Sequence, residues 1–145
     1  MDSMRNLQTK NGMVINLDER HYYVSRSLEE KNEGPYCFRS IKEAAEAIPD
    51  GNKETPSVLY LEQDVYWTNG APDRVGLVIQ KEWLTLCGLG KKPEDTVIAD
   101  NRGHMVNAYP SDNSASSPAQ TMIVNGNGFR AENLTIGNYL NIDLE

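Results

Sequence analysis

Long apolar runs are missing from this 145-residue chain, and no stretch approaches the roughly 18 apolar residues that a membrane-crossing helix needs. Met1 to Lys10 is polar and has no apolar h-region, which leaves two readings open: a cytoplasmic protein, or one whose export signal has been removed. Basic residues are scarce, 14 Lys and Arg against 21 Asp and Glu for a formal charge of -7. The longest basic run is Lys91-Lys92, a solvated loop, so nucleic acid is not an expected partner: phosphate neutralisation needs a clustered basic surface. The same charge disfavours tight binding of a polyanion and suits a substrate whose carboxylates are masked as esters. Only two cysteines occur, Cys37 and Cys87, too few for a disulfide framework or a metal motif. They read first as buried free thiols, with a disulfide between them as the other reading. His21 and His104 stand apart from each other and from cysteine, so neither a zinc site nor any other cofactor is expected.

What is present suits one folded domain, with a hydrophobic share of 39% and a charged share of 24%. Residues 1–35 form a polar segment in which 13–17 and 22–24 read as short strands. Glu29 to Pro35 reads as a loop. One helix is well marked at about 40–48. Ser40 and Glu43 have the spacing of a capping box, and Ile41, Ala44, Ala45 and Ile48 form one apolar stripe. Pro49 and Gly51 stop it.

Beyond the helix come short β-branched or aromatic runs bounded by Gly, Pro, Asn and Asp: 58–61, 75–79, 83–87, 96–99, 121–124 and 129–136. No second helical pattern interrupts them, which argues against alternating βαβ units. Leu59-Tyr60-Leu61 and Leu84-Thr85-Leu86 are offset by 25 residues, as are Thr96–Ala99 and Thr121–Val124, and Leu134-Thr135-Ile136 follows 50 after Leu84. A fixed period in this range marks a solenoid, and a rung with two or three short strands suits a parallel β-helix. Residues 103–118, rich in Ser, Asn and Pro, read as a loop inserted into one coil.

The segment Thr121-Met-Ile-Val-Asn-Gly126-Asn-Gly128-Phe129-Arg-Ala131-Glu-Asn133-Leu134-Thr135-Ile136-Gly-Asn138 resembles the pectinesterase (pectin methylesterase) pattern T-x-x-V-x-G-x-G-F-x-A-x-x-I/L-T-F/I-x-N. Its glycines mark a tight corner, and Phe129, Ala131, Leu134 and Ile136 read as interior positions. Phe38-Arg-Ser-Ile41-Lys-Glu-Ala44-Ala-Glu-Ala47-Ile-Pro49 is similar to the family's opening F-x-T/S-I-x-x-A-x-x-A-x-P. Leu84-Thr-Leu-Cys-Gly88-Leu-Gly90 followed by Thr96-Val97-Ile98 is similar to its L-x-G-x-G…T-x-I. Val58–Leu61 and Val65-Tyr66 resemble the strand leading into G-x-Y-x-E, although Asp64 and Thr68 replace the usual Gly and Glu. Residues 67–74 and 103–118 look like insertions atypical of the family.

The resemblance, covering about Phe38 to Asn138, implies a right-handed single-stranded parallel β-helix of the pectin lyase-like fold. Residues 36–145 would be its N-terminal coils, with the 40–48 helix capping them. It implies a secreted, periplasmic or cell-surface hydrolase, a carbohydrate esterase of pectin degradation and cell wall modification. In that family an aspartate attacks the methyl ester, a second protonates the departing methanol, and glutamines stabilise the oxyanion. The Q-D-T and D-F-I-F-G motifs that carry these groups are absent from this sequence, so no catalytic residue is assigned and the chain alone is expected to be inactive. An open end of the coil would favour self-association.

One family substrate-binding position carries over, to Thr121. From the residues themselves, Tyr66 and Trp67 read as an exposed platform for sugar stacking, whereas Trp83 reads as core. The acidic pairs Glu62/Asp64 and Glu94/Asp95 read as solvated turn carboxylates rather than a glycosidase dyad. Gly88-Leu-Gly90-Lys91-Lys92 fails the phosphate-loop spacing. Two further readings stand beside the esterase: a non-catalytic polysaccharide-binding or scaffold β-helix, and a pectate-lyase-like fragment, which would need an acidic calcium cluster not seen here.

Overall fold

The computed structural model describes residues 5–68, 77–100 and 121–138. The two expected insertions and His104 fall wholly or mostly outside the described residues.

The chain is mainly β, and its principal sheets are parallel. It opens with an antiparallel hairpin of β1 (Arg5–Gln8) and β2 (Val14–Leu17). The first of these strands escapes a pattern reading, because only Leu7 among its four residues is apolar. β3 (His21–Val24), β4 (Cys37–Phe38), β5 (Ser57–Leu61), β8 (Leu84–Gly88) and β11 (Arg130–Glu132) form one five-stranded parallel sheet in the order β11-β8-β5-β3-β4. β6 (Asp64–Trp67), β9 (Thr96–Asp100) and β12 (Thr135–Asn138) form a second, and β7 (Leu77–Gln80) pairs with β10 (Met122–Asn125) in a third. From β5 onward the chain visits the five-stranded, the three-stranded and the two-stranded sheet in turn, then repeats that order. β3 lies between β4 and β5, so the boundary expected at 35/36 runs through the sheet rather than beside it.

Alternation explains the core. In β5, Ser57, Leu59 and Leu61 are buried while Val58 and Tyr60 are half-buried. Opposite them Leu84, Leu86 and Gly88 turn inward. Leu59 faces Leu86, two residues beyond the partner that the 25-residue offset predicts. A slip of two keeps every side chain on its own face, so the same leucines reach the core in either register. The other offsets fail more fully. Met122–Asn125 pairs with β7, not β9, and Leu134 sits at a corner while Thr135–Asn138 joins β9.

Two columns of hydrogen bonds link the corners between successive strands. Between the five- and three-stranded sheets, Glu62 N donates to Val24 O and Leu89 N to Leu61 O, both at 2.9 Å. Asn133 continues this column, its Nδ2 donating to Gly88 O and Gly90 O at 2.9 Å. At the corner preceding the five-stranded sheet, Gly51 N donates to Glu82 O at 2.9 Å and Trp83 N to Asn127 O at 2.7 Å. The Glu82 carboxylate also accepts from Asn127 N and Nδ2. Trp83 belongs to this corner, at φ 51°, not to the strand that its apolar neighbours suggest. Its half-buried ring lies against Gly128, at φ 72°, where a Cβ would strike it. Both constraints require glycine there.

Helix α1 (Ile41–Ala47) packs against β3, β4, β5 and β7 and buries Ile41, Ala44 and Ala45, with Ile48 fully enclosed just beyond it. Ser40 Oγ accepts from Glu43 N at 3.1 Å, and the Glu43 carboxylate takes the Ser40 hydroxyl proton rather than its backbone N–H. Only half of the expected capping box is therefore made. Lys42 and Glu46 pair on the exposed side at 2.9 Å.

Candidate functional site

The outward face of the five-stranded sheet carries chemistry in rows set by strand register. His21, Val58, Thr85 and Arg130 form one row, and Cys37, Tyr23, Tyr60, Cys87 and Glu132 the next. The hairpin covers the β4–β3 side, where the Arg5 guanidinium donates to Cys37 Sγ at 3.3 Å, and its turn reaches the corner after β8, where Asn11 Nδ2 donates to Leu89 O at 2.8 Å. The β5–β8–β11 side is left half-exposed, with Tyr60, Cys87 and the Arg130–Glu132 ion pair upon it. His21 stacks on Tyr60 with ring centroids 6.1 Å apart and is oriented by Asp18 through a 2.8 Å contact between Nδ1 and Oδ1. Burial raises the Asp18 carboxyl, but the hydrogen bonds with the His21 side chain and from Arg20 N outweigh it and hold the group below the usual carboxylate range.

Among its described residues this ledge holds no activated nucleophile. Burial pushes the Cys87 thiol up, Glu132 adds to the shift, and burial likewise raises Tyr60. Both groups stay protonated at neutral pH, and a thiol reacts as the thiolate. Cys37 and Cys87 are free, three strand spacings apart on one sheet. Neighbouring strands lie about 4.8 Å apart, so a disulfide between them is out of reach. Among the described residues no group of three His, Cys, Asp or Glu side chains is arranged to hold a metal ion.

The sites expected from sequence are not brought together. Tyr66 is buried, 4% exposed, and its hydroxyl lies 2.7 Å from Glu62 O and 3.2 Å from Val24 O. The Tyr66-Trp67 platform is thereby corrected: adjacent strand residues point to opposite faces, so the pair cannot present both rings to one ligand. Trp67 is half-buried on β6, opposite Ala99. Thr121 is half-buried and its hydroxyl donates to Gly137 O at 3.4 Å, tying the start of β10 to β12.

Glu62 overturns the reading of a solvated carboxylate. It is 1% exposed and, among the described residues, has no cationic partner; Oε1 accepts from Tyr23 Oη at 2.7 Å and Lys10 N at 3.1 Å, and Oε2 from Gln63 N at 3.1 Å. Nothing in the local sequence marks it. The covering groups come from the hairpin and from β3, and charged side chains are buried only where such partners exist. Asn133 lies at the corner before β12, its side-chain amide engaged by two carbonyls.

Comparison with protein-family models, curated proteins and solved structures finds no match to this chain. The resemblance to pectinesterases rests on the motifs quoted above.

Proposed function

We propose that this chain forms the first windings of a right-handed single-stranded parallel β-helix, with α1 covering one end, and is the front part of a carbohydrate esterase of the pectinesterase kind. The carrying observation is the order in which successive windings visit the three parallel sheets. The Gly126–Gly128 corner of the resembling motif lies between β10 and β11 within that repeat. The handedness follows from the strong preference for right-handed crossovers between parallel strands. On this reading the protein acts at the cell surface, in the periplasm or outside the cell on pectin or a related plant cell-wall polysaccharide. The half-exposed Tyr60–Arg130 ledge is where the chain meets its substrate. A net charge of -7 favours methyl-esterified over de-esterified polymer.

The paired aspartates of the family's reaction have no motif in this sequence, so the chain by itself is expected to release no methanol from esterified pectin. Robust turnover would show that the reactive groups lie within these residues and would overturn their placement elsewhere. Titrating methyl-esterified oligogalacturonides into labelled protein is expected to shift amides around Tyr60, Thr85, Cys87 and Arg130, and the de-esterified form to shift them less. Silence on that face at saturating polymer would remove the ledge as a binding surface.

A further inference from the structure

A cavity of about 210 Å³ lies between the hairpin and the residues that follow β3, and Tyr23, the cross-strand neighbour of Tyr60, lines it. Tyr23, Ser25, Ser27, Asn32, Gln8 and Lys10 contribute to its wall, and Leu28 alone is aliphatic. Several of these groups are held in place before any ligand arrives. Tyr23 donates its proton to the buried Glu62 carboxylate at 2.7 Å, and the Ser25 side chain hydrogen-bonds to the phenol oxygen, which is thereby a fixed acceptor with one lone pair already engaged. The Lys10 ammonium donates to Ser27 Oγ at 3.0 Å, leaving the Ser27 proton to donate elsewhere. Among the described residues the side-chain amide of half-buried Asn32 makes no hydrogen bond, its backbone N–H alone being engaged, by Glu29 O at 2.9 Å.

Formal charge around the cavity is balanced, although only one pair is in contact. Lys31 pairs with Glu29 at 3.6 Å, whereas the Lys10 ammonium lies on Ser27 Oγ and the buried Glu62 carboxylate, behind Tyr23, takes only the Lys10 backbone N–H. Neither sign of ligand is therefore drawn in, and neutral donors and acceptors dominate the wall. The volume is below the roughly 300–1,000 Å³ of sites for drug-sized ligands, so it suits one small ring rather than a chain.

We propose that this cavity binds a neutral polyhydroxylated ligand of monosaccharide size. Vicinal hydroxyls, each both donor and acceptor, match a wall that alternates a fixed acceptor at Tyr23 with donors at Ser27, Asn32 and Lys10. No aromatic face is offered for stacking, so the dissociation constant is expected on the order of 1 mM. The site is independent of the esterase reading and uses none of its residues.

The test is a titration of the labelled 145-residue chain with D-glucose, with D-glucuronate and inorganic phosphate as charged probes. Saturable amide shifts are expected at Lys10, Ser27 and Asn32 with glucose, and weaker ones with either anion. Ser27→Trp, on the exposed rim, is expected to abolish them, and Asn32→Ala to weaken binding about 5-fold, the loss of one hydrogen bond. Both variants are checked for a wild-type circular dichroism spectrum and urea midpoint. Shifts that are absent up to about 100 mM glucose, confined to other regions, or indifferent to both substitutions would overturn the proposal. Tighter binding of glucuronate or phosphate would overturn the neutral assignment.

Discussion

Tyr23, Tyr66 and Glu62 form a buried polar knot that links three elements, and its chemistry sets how the protein responds to alkali. Burial raises both phenols, first by desolvation; Glu62 adds to the shift at Tyr23, and Asp64 then Glu62 at Tyr66. Burial also raises the Cys37 and Cys87 thiols. A raised folded-state pKa means that the folded chain holds its proton longer than the unfolded chain does. The stability it contributes is complete below the unfolded value and declines as pH climbs through the folded one. Unfolded Cys and Tyr titrate near 8.5 and 10, so the urea midpoint is expected to hold from pH 7 to about 8.5 and then fall, most steeply above about 10. Tyr66→Phe is expected to cost about 1 kcal/mol at pH 7, from the loss of its hydrogen bond to Glu62 O, and to flatten the slope above pH 10. A variant as alkali-sensitive as the wild type would show that Tyr66 is not a source of the loss.

At the scale of single elements, α1 illustrates what can be foreseen and what cannot. Its start, stripe and stop are local, and the helix forms where they place it. The return half of the capping box is missing because the Glu43 carboxylate found the Ser40 hydroxyl first. The N-cap thus depends on Ser40 alone, and Ser40→Ala is expected to destabilise the protein by about 1 kcal/mol, read as a shift in denaturation midpoint. Glu43→Gln, which alters only the exposed partner, is expected to change it by less than about 0.5 kcal/mol. Equal effects would mean that the carboxylate matters as much as the cap. The two-residue register shift between β5 and β8 teaches the converse. A leucine alternation tells which residues point inward, but it cannot tell Leu84 from Leu86 as the partner of Leu59, because both choices bury the same atoms.

For the molecule as a whole, the last described strands expose positions whose partners on the strands before them are buried. Ala131 lies opposite buried Leu86, and Ile136 opposite fully buried Ile98, yet Ala131 is exposed and Ile136 is 42% exposed. Their inward register was legible in the motif; their burial was not, since it requires a neighbour on the far side. Among the described residues β10, β11 and β12 are each paired on one side only. Such edges template further pairing, so concentration-dependent self-association is expected in sedimentation velocity, and Ile136→Lys is expected to reduce it. A tight monomer at all concentrations would show that this end is satisfied within the chain.

The sequence by itself determined the mainly-β character, helix α1, the inward leucines and the glycine corner at 126–128, because each depends on neighbours a few residues away. Tertiary structure alone decided that β3 joins the main sheet, that β10 pairs with β7, that Tyr66 turns inward and that Glu62 is buried. Those outcomes depend on groups that meet across 30 to 60 residues of chain, such as Lys10 N and Tyr23 Oη at the Glu62 carboxylate. The connections between strands absorb any change in spacing, so periodicity constrains the face of a residue far more tightly than it constrains its partner.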